Sequence, residues 1–69
     1  MDKNKIAALV RSKRTEADLT QNALGKLIGY EGRTAELMIQ SIESGRRPVP
    51  KAKIKHLAEV LNINPLDLI

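Results

Sequence analysis

The side chains of this sequence best suited to chemistry are amides, hydroxyls and cationic groups in its middle. Amide and hydroxyl groups can exchange hydrogen bonds with the edges of nucleic acid bases, and apolar side chains can contact the thymine methyl group. Candidates for such contacts are Thr34, Glu36, Leu37, Gln40 and Ser41. Guanidinium and ammonium groups can bind phosphates without selecting a sequence. Candidates for phosphate contacts are Arg33, Arg46, Arg47 and Lys51.

Each candidate also has a simpler interpretation. Any one basic residue can be ordinary solvated surface, although their clustering around one predicted helix favours contact with DNA. Glu36 can accept a hydrogen bond from cytosine N4 or repel a phosphate. Leu37 can contact a thymine methyl group or pack beneath the neighbouring turn against Tyr30, and both interpretations stay open. We expect ordinary surface residues at Lys53, Lys55 and His56.

Nothing in the sequence suits catalysis or metal binding. The chain has no cysteine and one histidine, which excludes disulfides and thiolate metal sites. It has no phosphate-binding loop and no pairing of a nucleophile with a base. We therefore predict that the protein is not an enzyme and uses no metal, cofactor or small-molecule ligand.

Size and composition narrow the class further. We expect residues 1–69 to form one domain with a small core. The net charge of +4 favours a polyanionic partner, although solubility needs a similar charge. With one Tyr and no Phe or Trp, the core must be aliphatic, which suits an all-α fold. We find no signal peptide and no apolar run of about 18 residues that could span a membrane, and we expect a cytoplasmic location.

Apolar residues at helical spacing predict five short helices. The predicted helices run from about Lys3 to Ala17, from Thr20 to Gly29, from Ala35 to Ser44, from Lys51 to Leu61, and over a last turn from Pro65. Predicted caps are Asp2 for the first helix, Thr20 for the start of the second and Asn62 for the end of the fourth. The predicted inward residues are Ile6, Leu9, Val10, Ala17, Leu24, Leu27, Ile28, Ala35, Met38, Ile39, Ile42, Ile54, Leu57, Ala58 and Leu61, with Leu66 and Ile69 as a lid.

Two glycines indicate special backbone geometry. Gly25 lies inside the second predicted helix, where glycine costs about 1 kcal/mol relative to Ala. It indicates close approach of another helix, unless it is a sequence accident. Gly32 offers a positive φ, and we expect a turn over residues 30–33 with Thr34 as the next N-cap.

An ordered set of short motifs resembles the Cro/C1-type (lambda-repressor-like, XRE) helix-turn-helix family. The motifs are Leu19-Thr20-Gln21, Leu24-Gly25, Leu27-Ile28-Gly29, Ile42-Glu43-Ser44-Gly45-Arg46-Arg47, Leu57-Ala58 and Pro65-Leu66-Asp67-Leu68. The resemblance covers about residues 9–68 and implies a compact five-helix DNA-binding domain. Its second helix lies across the DNA backbone and its third enters the major groove.

The resemblance also assigns roles to three residues. Gln21 matches a glutamine that typically holds a phosphate and braces the recognition helix. Arg14 and Glu43 match an ion pair that joins the first helix to the third. The chain departs from the family where Gly29 and Glu43 are 14 positions apart, about four more than usual. We expect the extra residues in an extended turn over residues 30–34, which can also bring Arg33 to the groove.

The leading hypothesis is a sequence-specific repressor of phage or prophage type that binds a palindromic operator on double-stranded DNA as a homodimer. The candidate dimer interface includes Pro48, Val49, Leu68 and Ile69. A restriction–modification controller and the antitoxin of a toxin–antitoxin pair are alternatives within the same family. A protein-interaction adaptor on the same fold is a further alternative. For the regulators we expect a bacterial or phage origin and association with the nucleoid.

Overall fold

The computed structural model describes residues 3–69 and is built from helices. The elements in chain order are α1 (Lys3–Glu16), α2 (Gln21–Leu27), α3 (Gly32–Glu43), α4 (Lys51–Leu61) and a 3-10 helix (Pro65–Leu68). The predicted all-α class is confirmed. The fifth predicted helix is one 3-10 turn, so the described residues contain four α-helices rather than five. The proposed cap at Asp2 lies outside the described residues.

The core is aliphatic and receives side chains from every helix. Buried apolar residues are Ile6, Ala7, Val10, Leu24, Ile28, Ala35, Ile39, Ile42, Val49, Leu57, Ala58, Leu61 and Leu68. Three predicted core residues are only partly buried, namely Leu9, Met38 and Ile54. No helix in residues 3–69 has the length and apolar content needed to cross a membrane.

Four residues predicted to face inward are exposed. Ala17 is exposed because α1 ends at Glu16, before its last predicted turn. Leu27 is 57% exposed because Leu24, Gly25 and Ile28 form the buried side of α2, and Leu27 lies at its edge. At the end of the chain, Leu66 and Ile69 are exposed and Leu68 takes the buried position. A 3-10 helix has 3.0 residues per turn, so its inward position differs from the one expected of an α-helix.

A close helix contact joins α2 to α3 at Gly25, the glycine for which the sequence predicts one. A Cβ built on Gly25 would lie 2.6 Å from the Ala35 carbonyl carbon and 2.7 Å from the Ala35 Cα atom. These distances are too short for real carbon atoms, so only glycine allows the two backbones to meet here. Close approach of another helix to Gly25 is therefore confirmed.

The ends of α2 have well-defined caps. At its start, the Thr20 hydroxyl accepts a hydrogen bond from the Ala23 N–H, as the sequence predicts. At its end, Gly29 has φ +102°. The Gly29 N–H donates to the Lys26 carbonyl and the Tyr30 N–H donates to the Gly25 carbonyl, which is a Schellman motif. These caps define a short helix and turn the chain sharply into α3.

Candidate nucleic-acid interface

The turn between α2 and α3 is short, and the extra residues lengthen α3 instead. Glu31 is the N-cap of α3 with extended backbone angles, and α3 begins at Gly32, whose φ of +58° lies in the left-handed region. The predicted extended turn over residues 30–34 is therefore wrong, and so is the predicted N-cap at Thr34. Gly32 has the predicted positive φ. The sequence favoured Thr34 because threonine is a good N-cap, but the chain enters the helix two residues earlier.

The first turn of α3 lies beyond the point where α3 crosses α2. The crossing is at Ala35, against Gly25, so residues 32–34 extend past it. Asn22 of α2 makes one hydrogen bond to this turn, in which its Nδ2 donates to the Gly32 carbonyl at 3.5 Å. The turn therefore adds length to α3 without changing the register of its buried residues.

The other end of α3 is held by an ion pair with α1. Arg14 Nε donates to Glu43 Oε2 at 2.6 Å, and Arg14 Nη2 donates to Glu43 Oε1 at 3.0 Å. The third guanidinium nitrogen, Nη1, donates to the Leu19 carbonyl at 2.8 Å. The side chains of Arg14 and Glu43 are only 13% and 4% exposed. The ion pair expected from the family resemblance is thus present, and its geometry is bidentate.

Gln21 joins the same network at the first position of α2. Its Nε2 donates to Glu43 Oε1 at 3.3 Å, so one carboxylate links α1, α2 and α3. The hydrogen bond to Glu43 raises the pKa of Arg14, against a smaller opposing effect of burial. The contact fits the bracing role that the family resemblance assigns to Gln21, whereas its phosphate contact stays a prediction.

The exposed face of α3 carries the proposed base contacts. The helix buries Ala35, Ile39 and Ile42, which leaves Thr34, Glu36, Leu37 and Gln40 exposed and Ser41 partly exposed. Gln40 Nε2 donates to the Glu36 carboxylate at 3.2 Å. The Ser41 hydroxyl donates to the Leu37 carbonyl at 3.0 Å. Glu36 therefore holds one amide hydrogen of Gln40, and the amide oxygen stays available as an acceptor.

Leu37 lies on the exposed side of the helix, away from the core. Its side chain is 49% exposed, whereas Tyr30 packs against the core cluster. Leu37 lines a groove of about 430 Å³ together with Gln40, Ser41, Ser44 and Arg46. Of the two interpretations given above, this position favours contact with an outside partner.

The four basic candidates do not form one patch. Arg33, Arg46, Arg47 and Lys51 are all exposed. Arg46 lines the groove beside α3, and Arg33 lies in the first turn of α3. Lys51 borders a separate apolar groove formed with Pro48, Val49 and Leu68. The structure therefore brings Arg46 close to the exposed face of α3 and places Lys51 on a different surface.

The sequence did not single out two further residues of this surface. A second groove of about 310 Å³ lies on the other side of α3 and is lined by Arg11, Arg14, Gln21, Gln40, Glu43 and Ser44. Arg11 could have been found because it precedes Arg14 by three positions on α1 and therefore shares its face. Ser44 is the C-cap residue of α3. The sequence indicated only that a helix ends there, before Gly45, and no pattern marked Ser44 as part of a groove.

Lys53 of α4 contacts Tyr30 in the turn between α2 and α3. Lys53 Nζ lies 4.7 Å from the centre of the Tyr30 ring, within the range of a cation–π interaction. Burial raises the pKa of Tyr30, and the charge of Arg47 opposes this effect. Lys53 is thus partly buried against the turn, contrary to the simple surface role expected from the sequence.

Comparison with known protein families identifies a match. A family model described as helix-turn-helix matches residues 10–68, which is most of the chain. No curated protein matches, and no solved structure matches. The described residues contain no cluster of three or more acidic or histidine side chains that could hold a metal ion.

Proposed function

The chain belongs to the Cro/C1-type (XRE) helix-turn-helix family and is a DNA-binding regulator of that type; within the family, we propose that it is a sequence-specific repressor of phage or prophage type. Its target is a palindromic operator in double-stranded DNA. The family is regulatory rather than catalytic, and we propose that this chain likewise has no enzymatic activity. It acts in the bacterial cytoplasm, at the nucleoid.

The observation that carries this proposal is the arrangement of groups around α3. Gln40 and Ser44 line both grooves that flank the helix. One groove includes Arg11 and Gln21, and the other includes Arg46. A helix in the major groove has base edges in front of it and a phosphate backbone on either side. Hydrogen-bonding groups on the helix with cationic or amide groups on both sides match that layout.

Binding as a dimer follows from the limited reach of one recognition helix. A single copy offers few base contacts, and helix-turn-helix dimers bind half-sites about 34 Å apart. One apolar groove of about 310 Å³ contains all the proposed interface residues. It is lined by Pro48, Val49, Leu68 and Ile69 together with Ile6 and Ile54. Since Ile69 is 52% exposed, a second copy can bury apolar area there.

Selection of binding sites from random duplex DNA, followed by a salt titration, tests the proposal. We expect a palindromic motif and an affinity that falls steeply as salt rises, because phosphate contacts release counterions. Failure to bind duplex DNA even at low salt would contradict the proposal. A single unpaired half-site in the selected motif would contradict the dimer.

A second test addresses the face that makes the base contacts. Replacing Gln40 and Ser41 together with Ala removes two hydrogen-bonding side chains from the exposed side of α3. We expect this variant to bind DNA with reduced preference among sites. An unchanged preference would show that base contacts are made elsewhere on the protein.

Two alternative roles use the same DNA-binding surface. A restriction–modification controller and an antitoxin are both small regulators of this family type, and neighbouring genes would distinguish them from a phage repressor. A protein-interaction adaptor is favoured only by the exposed acidic side chains of Glu31 and Glu36. Arg33, Arg46 and Arg47 outweigh them in charge, so DNA remains the proposed partner.

A further inference from the structure

The extra turn of α3 places Arg33 differently from the other basic residues. Arg46 and Arg47 follow the helix in the loop that leads to α4, and Arg46 lines the groove beside the exposed face of α3. Arg33 instead precedes Leu37 by four positions and Gln40 by seven. Residues at these spacings share one face of a helix. Arg33 therefore lies on the central line of the exposed face.

The extension also carries Arg33 beyond the body of the protein. The contact of Ala35 with Gly25 marks the crossing of α2 and α3, and Arg33 lies on the far side of it. Among residues 3–69, none forms a hydrogen bond or an ion pair with the Arg33 side chain, and Arg33 is exposed. Side chains in a helix are tilted toward its N-terminus, which favours a guanidinium group directed toward the tip of α3.

We propose that Arg33 contacts a guanine base edge in the major groove, where it determines sequence preference instead of holding a phosphate. The proposal rests on the DNA-binding function proposed above. N-terminal residues of a recognition helix contact base edges, and Arg forms two hydrogen bonds with guanine O6 and N7. A residue on the central line of the inserted face meets the floor of the groove, whereas the phosphates border the groove on both sides.

The register of α3 also predicts where this guanine lies. Four residues of α-helix span about 6 Å, since each residue rises about 1.5 Å. Base pairs are stacked about 3.4 Å apart. The guanine contacted by Arg33 should therefore lie one or two base pairs from the base pair contacted by Leu37.

The test compares site selection for the wild type and the Arg33→Gln variant. Glutamine pairs with adenine N6 and N7, whereas arginine pairs with guanine O6 and N7. We expect Arg33→Gln to lose the guanine preference at one position of each half-site, by between about fivefold and 150-fold, in favour of adenine. The slope of log affinity against log salt should fall by less than the ~0.9 expected for a lost phosphate contact. The matched control is Arg47→Gln, which should leave the preference at every position intact.

Three outcomes would overturn the inference while leaving the regulator proposal standing. The first is a wild-type motif without a conserved guanine in each half-site. The second is an unchanged motif for Arg33→Gln, and the third is equal weakening of all sequences by Arg33→Ala. The last result would identify Arg33 as a phosphate contact. A wild type that selects no DNA sequence at all contradicts the proposed function itself. Thermal melting of each variant excludes loss of folding as the cause.

Discussion

The two ends of α3 differ in how firmly the protein holds them. The C-terminal end is fixed by Glu43, which bonds to Arg14 on α1 and Gln21 on α2. The N-terminal end extends past the Gly25–Ala35 crossing and is reached from α2 by one long hydrogen bond from Asn22. This difference shows that one end of α3 serves stability and the other is available for binding. The buried end orients the helix, and the exposed side chains at the other end are free to face a partner.

Arg14→Ala breaks the fixed end and should have the largest effect. The substitution leaves the carboxylate of Glu43, which is 4% exposed, without its main partner. Removing one member of a buried ion pair costs about 3 kcal/mol or more. In a domain of this size, that corresponds to a fall of roughly 12–24 °C in the melting temperature. Thermal denaturation followed by circular dichroism measures it, and an unchanged melting temperature would contradict the role assigned to the pair.

Gly25→Ala disturbs the crossing that separates the two ends. Helix propensity alone favours alanine by about 1 kcal/mol. The new methyl group would nevertheless meet the Ala35 backbone, and overpacking costs about 1–3 kcal/mol. We expect net destabilisation in urea denaturation. The control is Lys26→Ala, the next position of the same helix and exposed, which should change stability by less than about 0.5 kcal/mol. A more stable Gly25→Ala protein would refute the close contact.

The loop after the fixed end should supply sequence-independent affinity. In the double variant Arg46→Ala, Arg47→Ala we expect weaker binding to every duplex, without a change in the preferred motif. Each lost phosphate contact should lower the slope of log affinity against log salt by about 0.9. Fluorescence anisotropy over a salt series measures that slope. A changed motif with an unchanged slope would reverse the assignments of this loop and the exposed face.

Leu37→Ala probes the exposed half of α3 and should have the smallest effect. The side chain is 49% exposed, so stability should change by less than about 0.5 kcal/mol. If Leu37 contacts a thymine methyl group, replacing that thymine with uracil should weaken wild-type binding by about fourfold.

The same base replacement should leave the affinity of Leu37→Ala unaffected, because the partner of the methyl group is already absent. Binding of the two proteins to the two duplexes forms a complete cycle. Equal sensitivity of both proteins to uracil would show that Leu37 does not contact the thymine methyl group.

Local patterns in the sequence were sufficient for most of the fold. The caps at Thr20 and Asn62 follow from side-chain chemistry within a few residues, and Lys51–Leu61 is a helix over the predicted range. The family resemblance, which the match over residues 10–68 confirms, also supplied the Arg14–Glu43 ion pair. That pair could not come from local pattern, since its members are far apart in the chain.

Periodicity failed where burial depends on neighbours in space. Leu27 and Leu66 have the spacing of core residues but are exposed. An apolar residue at helical spacing is buried only if another element covers that side of its helix. Along α2, the covered side includes Leu24, Gly25 and Ile28 and ends before Leu27, and no local signal marks that edge.

The sequence by itself determined the helical class, the glycine that allows two helices to touch and the set of side chains able to contact DNA. Only the tertiary structure decided where the four extra residues lie. Locally, a turn with an N-cap at Thr34 and a helix from Gly32 are both acceptable. The choice depends on the contact of Ala35 with Gly25 and on the bond from Asn22 to the Gly32 carbonyl, which exist only once α2 and α3 have packed.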